Sequence, residues 1–321
     1  MTASAPQPAS AVMQGQRRPQ FAALGVGDWL LYIVLVCSWS ASWYALSLQV
    51  GQVAVPTSLF WRFVIAASIM WVWVGLRNAK GKPGLPDANG FTLHLAFAGM
   101  GVFIFSLNFA LYYWASAYLI SGLLSVMFSL ASVFSLALTA LFTRSKPPLP
   151  VVLGALIGVT GIALMFAPEI AGQDWATGTI LGLALCTGGT LSFCLGSQIS
   201  ARLQRQSIPV VPASAWGMTY GALFSGLTAV AGGNSLAIIW EPVYLGSLVF
   251  LAIVSSVIAF WSYLTLVGRI GAGRAGYATV GFPVLALCIS AVMVGYGFPA
   301  LAMIGLVLVL AGNVLVLRAQ K

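Results

Sequence analysis

The chain has 321 residues, of which 60% are hydrophobic and 6% are charged. Soluble domains carry about 25% charged residues, so this composition excludes a water-soluble globule and indicates a chain solvated mainly by lipid. The net charge of +9 does not indicate nucleic-acid binding, because the basic residues are scattered and form no continuous basic stretch.

The first 28 residues are rich in Ala, Pro, Gln and Ser and contain no apolar core followed by a cleavage site. We expect a disordered cytoplasmic tail here. The four cysteines, Cys37, Cys186, Cys194 and Cys288, all fall inside apolar runs, which argues against a disulfide framework or a zinc site. We interpret them as small packing residues.

Ten apolar stretches follow the tail, and roughly 20 apolar residues suffice for a helix to cross the hydrocarbon core of a bilayer. The predicted helices run from Trp29 to Leu48, Val55 to Leu76, Phe91 to Ala117, Ser121 to Phe142, Val151 to Phe166, Thr177 to Gln198, Val211 to Ala231, Tyr244 to Val267, Ala275 to Val294 and Ala300 to Leu317. We therefore predict an all-α, multi-pass membrane protein.

The basic residues alternate between connections, which predicts the orientation of the helices. Lys and Arg precede helix 1 and follow each even-numbered helix: Arg17, Arg18, Arg77, Lys80, Lys82, Arg144, Lys146, Arg202, Arg205, Arg269, Arg274, Arg318 and Lys321. The connections after odd-numbered helices carry none. Since basic residues collect on the cytoplasmic side, we expect both termini in the cytoplasm and the protein in a bacterial inner membrane.

The two halves of the chain resemble each other at an offset of about 150 residues. Glycines seven residues apart occur in helix 5, at Gly154 and Gly161, and in helix 10, at Gly305 and Gly312. Five helices per unit is an odd number, so a second unit must enter the membrane from the opposite side. We expect an inverted repeat of residues 29–166 and 177–318, the plan of many secondary transporters, with a solute site near the midplane.

The segment from Asn108 to Met165 resembles the EamA domain of the drug/metabolite transporter superfamily, through Tyr112, the turn at Ser121-Gly122 and the glycine-rich helix that closes it. The resemblance recurs from Ala259 to Val316, where Phe282-Pro283 matches a proline that is frequent in the family. It implies ten transmembrane helices in two inverted five-helix repeats, and transport of small solutes by alternating access.

Arg62, in the string Trp61-Arg62-Phe63, is similar to the family's Arg-Phe element, and it is an intramembrane charge. Such charges are costly and usually functional. We weigh three roles for it: a structural one, which we favour, contact with a substrate carboxylate, and snorkelling to the membrane surface.

No Asp or Glu lies within a predicted helix, so a buried carboxylate relay for protons is not expected. His94, near the cytoplasmic end of helix 3, is a candidate proton switch, although we favour a solvated histidine. Facilitated diffusion and coupling through ordered water both stay open.

Hydroxyl, amide and aromatic side chains within the predicted helices are the candidate substrate-binding residues. They are Trp39, Ser42, Trp43, Phe105, Asn108, Tyr112, Ser132, Thr190, Ser255, Ser256 and Pro283. Trp39 and Trp43 share one face of helix 1, and Phe105, Asn108 and Tyr112 are predicted to share one stripe of helix 3. For any single hydroxyl, we favour a bond to its own helix backbone over a role in binding. Together these groups suggest a neutral, mostly apolar cavity.

This pattern suits a zwitterion or a flat organic solute, and within the superfamily the chain resembles exporters of aromatic or other neutral amino acids, which implies a transporter and not an enzyme. An exporter of nucleosides or drugs and a receptor or scaffold are the alternatives. The string Gly271-Ala-Gly273-Arg-Ala-Gly276 matches a dinucleotide fingerprint, but it follows a membrane helix instead of a strand. We therefore expect no cofactor, and a monomer whose partners are the lipid bilayer and a small-molecule substrate.

Overall fold

The computed structural model describes residues 25–81, 90–144, 146, 148–171, 176–270, 275, 278–295, 297 and 299–318. Within these residues the chain forms ten helical rods, which confirms the predicted all-α fold. They are α1 (Val26–Ser47), α2 (Val55–Ala79), α3 (Phe91–Ala115), α4 (Ser121–Ser129 and Ala131–Thr143), α5 (Leu149–Ala171), α6 (Ala176–Arg205), α7 (Val210–Ala231), α8 (Pro242–Ile270), α9 (Ala278–Val294) and α10 (Ala300–Arg318).

Length and composition allow seven of the described rods, α1 to α6 and α8, to cross a bilayer. The last two rods contain the shorter apolar stretches Gly281–Val294 and Ala300–Val316. Five of the basic residues on which the predicted orientation depends lie outside the described residues: Arg17, Arg18, Lys82, Arg274 and Lys321. The string from Gly271 to Gly276 lies outside them too, apart from Ala275.

Equivalent helices of the two halves pack against each other in opposite directions. A Cβ atom on Gly154 of α5 would lie 2.7 Å from the carbonyl oxygen of Gly312 in α10, and one on Gly161 would lie 2.6 Å from that of Gly305. The early glycine of one helix thus meets the late glycine of the other, so the helices are antiparallel. Glycine permits this close approach because a side chain would collide with the facing backbone.

The pair α2 and α7 is antiparallel too, since Phe60 lies against Gly226 while Trp71 lies against Trp216. Around these pairs, α1 packs on α8 and α9, whereas α6 packs on α3 and α4. Helices α1, α8 and α9 are equivalent by the repeat to α6, α3 and α4. The two sets of contacts therefore correspond, as expected for an inverted repeat.

Both halves also contain a π-helical segment at a related place. Phe103–Leu107 interrupts α3, and Leu251–Ile258 interrupts α8. A π turn contains an extra residue, so it rotates the side chains that follow, and such segments are frequent at functional sites. Most residues of both segments are buried.

Candidate functional site

A narrow cavity lies between α1, α2, α3, α4 and α8, on the side of the bundle nearest the α1–α2 connection. Its walls are formed by Trp39, Ser42, Trp43, Leu46, Arg62, Asn108, Phe109, Tyr112, Phe128, Leu251, Ser255 and Phe260. Between these walls there is room for roughly two water molecules. The bundle therefore holds a preformed but constricted cavity.

The guanidinium of Arg62 is the charged group of this cavity. Arg62 is 1% exposed, so it does not snorkel to the surface, and that alternative is wrong. Its Nε donates to Ser256 Oγ at 2.9 Å and its Nη2 donates to Ser255 Oγ at 3.1 Å. Both serines belong to the π-helical segment of α8, so Arg62 connects the first half of the chain to the second.

The third nitrogen of this guanidinium, Nη1, has no hydrogen-bond partner among the described residues. The hydroxyl of Tyr113, which donates to Gln49 Oε1 at 2.7 Å, lies close to the same guanidinium. Neutral groups thus hold Arg62 in place without neutralising its charge.

Two further polar atoms of the cavity lining are buried without a partner in the described part of the chain. They are Nε1 of Trp43 and Oδ1 of Asn108. The amide nitrogen of Asn108 donates to the backbone oxygen of Ile104 at 3.3 Å, which assigns its oxygen to the unpaired position. Unpaired buried polar groups are costly, about 1–3 kcal/mol each, so three of them on residues that line one cavity make it the candidate ligand site.

Most of the remaining wall residues are aromatic. Trp39 packs edge-on against Phe128, Phe260 and Phe282 at centroid distances of 5.5–5.9 Å. Trp43 lies 5.0 Å from Tyr112, also edge-on. The spacing of four residues in α1 thus places both indoles on the cavity, as its helical periodicity predicts.

Tyr112 is held by α6 of the other half. Its hydroxyl lies 2.6 Å from Thr190 Oγ1, and Thr190 donates its own proton to the backbone oxygen of Cys186 at 2.8 Å. Tyr112 must therefore donate to Thr190. Thr190 does not line the cavity, although sequence analysis placed it there; it positions Tyr112 instead.

Four other predicted residues do not line the cavity. Phe105 packs on Phe63 and Phe260, because the π-helical turn that contains it rotates it away from Asn108 and Tyr112. Ser132 Oγ donates to Asn313 Oδ1 of α10 at 2.7 Å. The other two are Ser256, which accepts from Arg62, and Pro283, which is buried inside α9.

The lining also contains residues that sequence analysis did not select: Leu46, Phe109, Phe128, Leu251 and Phe260. Phe109 and Phe260 are 151 residues apart in the sequence, which makes them equivalent positions of the two repeats. This spacing is the signal that could have identified them. Their rings lie 6.1 Å apart in the structure.

His94 lies away from this cavity, between α3 and α7. Its Nδ1 is 2.9 Å from the hydroxyl oxygen of Tyr220, and its ring packs edge-on against Trp216 at 4.6 Å. Aromatic residues of α7 cover part of the ring, and the side chain is partly buried, so a solvated histidine stays a prediction. A metal site is a separate question. In the described part of the chain, no group of three or more His, Cys, Asp or Glu side chains is placed to hold a metal ion.

Comparisons with known proteins agree with this architecture. Residues 27–167 and 178–318 each match the EamA-like transporter family. An uncharacterized transporter of Archaeoglobus fulgidus is 24% identical over 298 residues, which cover 91% of this chain and 99% of the relative. A protein of known crystal structure has a TM-score of 0.65 at 17% identity, over 90% of this chain and 96% of its own, and so shares the fold. The chain belongs to the EamA-like transporter family.

Proposed function

We propose that this protein exports neutral α-amino acids, aromatic ones above all, by alternating access. One observation carries the proposal. Two unpaired donors, Arg62 Nη1 and Trp43 Nε1, and one unpaired acceptor, Asn108 Oδ1, belong to a single cavity with aromatic walls.

These groups complement the two ends of an α-amino acid. A carboxylate accepts hydrogen bonds only and would pair with Arg62 and Trp43, and an ammonium group donates only and would pair with Asn108. Charge-assisted bonds of this kind are the stronger ones. The substrate side chain would then pack among the rings of Trp39, Phe128 and Phe260, which suits an aromatic or large apolar group.

The cavity must widen before it can hold such a solute. Arg62 and its two serines belong to different halves, as do Tyr112 and Thr190, so relative movement of the halves changes the binding site. This coupling of site and interface is what alternating access in an inverted repeat requires.

In the proposed setting, a monomer lies in the bacterial inner membrane with both termini in the cytoplasm. The repeats 29–166 and 177–318 are the units that move against each other. The cytoplasmic tail predicted for the first 28 residues lies outside the described residues up to residue 24, and α1 begins at Val26. The alternation of basic residues supports this orientation. The α1–α2 connection, and the cavity near it, would then face the periplasmic side.

The test is uptake of a labelled panel of aromatic and small neutral amino acids into proteoliposomes, with and without a pH gradient. We expect saturable uptake that is fastest for aromatic amino acids and that Trp39→Ala, in well-folded protein, impairs. Uptake without the gradient would indicate facilitated diffusion, and gradient-dependent uptake would indicate proton coupling. Failure to take up any amino acid would contradict the proposal and turn the search to nucleosides.

A further inference from the structure

Arg62 carries a permanent positive charge in a buried place. A guanidinium does not lose its proton in a protein, and an isolated charge in a medium of low dielectric constant is very unfavourable. Serine hydroxyls satisfy two of its nitrogens but bring no negative charge.

No described carboxylate is available to neutralise it. Of the acidic side chains that the structure describes, Asp28 pairs with Arg269 at 3.2 Å, and Glu241 Oε2 accepts from the backbone nitrogen of Tyr244 at 2.6 Å. A substrate carboxylate would neutralise Arg62 in the loaded transporter. The substrate-free transporter needs another counter-charge.

The cavity offers this counter-charge a defined place. Arg62 Nη1 and Trp43 Nε1 are both buried donors without a described partner. Asn108 Oδ1 is an acceptor in the same cavity, so an anion is favoured on the side of Arg62 and Trp43 and disfavoured beside Asn108. Room for roughly two water molecules suits a monatomic anion better than a polyatomic one.

We propose that the substrate-free protein binds a small monovalent inorganic anion, such as chloride, between Arg62 and Trp43, and that a carboxylate substrate displaces it. The first part is independent of the transported solute, whereas the displacement rests on the proposed function. Chloride and the amino acid would then compete for one cationic group. After releasing the amino acid, the transporter would return to its loading side with the anion bound.

The anion site is tested by thermal unfolding of the purified full-length protein without amino acid, as chloride replaces methanesulfonate at constant ionic strength. We expect a saturable rise in Tm of about 2–4 °C, a smaller rise with sulfate, and no saturable rise in Arg62→Gln. Arg202→Gln removes an exposed charge on α6 and should behave like the unchanged protein.

Trp43→Phe keeps an aromatic ring but removes the second donor, and it should weaken the apparent chloride affinity several-fold. If Arg62→Gln does not fold, the anion site is tested with Trp43→Phe instead. Equal Tm values in chloride and methanesulfonate, or an unchanged chloride affinity in Trp43→Phe, would overturn the proposal.

Displacement is tested by binding of labelled phenylalanine to the same protein at increasing chloride. The apparent Kd should rise in proportion to chloride once the anion site is filled. An apparent Kd for phenylalanine that does not change with chloride would overturn the displacement. If phenylalanine does not bind while Arg62→Gln still abolishes the chloride effect, the amino acid proposal fails and the anion site stands.

Discussion

The guanidinium of Arg62 lies over the ring of Phe109, with Cζ 4.1 Å from the ring centre. A cation over an aromatic face is attracted by the negative charge of the π system. Phe109 therefore fixes the plane of the guanidinium from one side, and Ser255 and Ser256 fix it from another. Nη1 is then the guanidinium nitrogen without a hydrogen-bond partner among the described residues.

Phe109→Leu should destabilise the protein by more than the loss of the ring's packing alone. The cation–π contact contributes about 0.5–2 kcal/mol, and leucine does not provide it. Phe60→Leu is the matched control, since Phe60 is equally half-buried and packs on Gly226, away from the charge. Equal losses of thermal stability in the two variants would show that the contact with Arg62 adds nothing.

Thr190→Val removes the acceptor for Tyr112 while nearly preserving the shape of the side chain. An unpaired Tyr112 hydroxyl costs about 1 kcal/mol, so we expect about a five-fold lower kcat/KM for uptake. Thr187→Val is the control, because Thr187 only donates to the backbone oxygen of Leu183 in its own helix. A comparable loss of kcat/KM in both variants would show that Thr190 does not position Tyr112.

Gly189→Ala should alter which substrates are accepted. A Cβ atom there would lie 2.8 Å from Cδ2 of Tyr112 and 3.2 Å from the backbone oxygen of Asn108, so the tyrosine ring would have to shift into the cavity. We expect uptake of aromatic amino acids to fall more than uptake of alanine. Gly188→Ala meets its nearest neighbour, Leu111, at an ordinary 3.4 Å, and an identical shift in selectivity there would contradict this reading.

Ser132→Ala should reduce stability and leave the KM of the folded protein unchanged. Ser132 donates to Asn313 Oδ1, and Asn313 in turn donates to Ser129 Oγ at 3.0 Å. Losing one partner of this buried network costs about 1–3 kcal/mol, which thermal unfolding detects. A raised KM with unchanged stability would indicate that Ser132 contacts the substrate.

The helices were predictable because the bilayer imposes their length and apolar composition. The inverted arrangement followed from the odd number of helices per repeat, and the seven-residue glycine spacing marked the helix pair that meets at Gly154 and Gly312. Trp39 and Trp43 were found because α1 is a regular helix near the cavity.

Phe105 was misplaced because a π-helical turn changes the side-chain direction, and no simple spacing rule reveals such a turn. Ser132 and Thr190 were misassigned for another reason. A buried hydroxyl has the same sequence pattern whether it faces a cavity, another helix or its own backbone. Phe128 was missed because an apolar ring in an apolar helix carries no signal of its own.

Competition for uptake of labelled phenylalanine in proteoliposomes tests the zwitterion site most directly. The competitors are unlabelled phenylalanine, 2-phenylethylamine, which lacks the carboxylate, and 3-phenylpropionate, which lacks the ammonium group. We expect phenylalanine to compete at least about ten-fold better than either analogue, since each analogue leaves Arg62 or Asn108 without its charged partner. Equal competition by 2-phenylethylamine would contradict recognition of a carboxylate by Arg62.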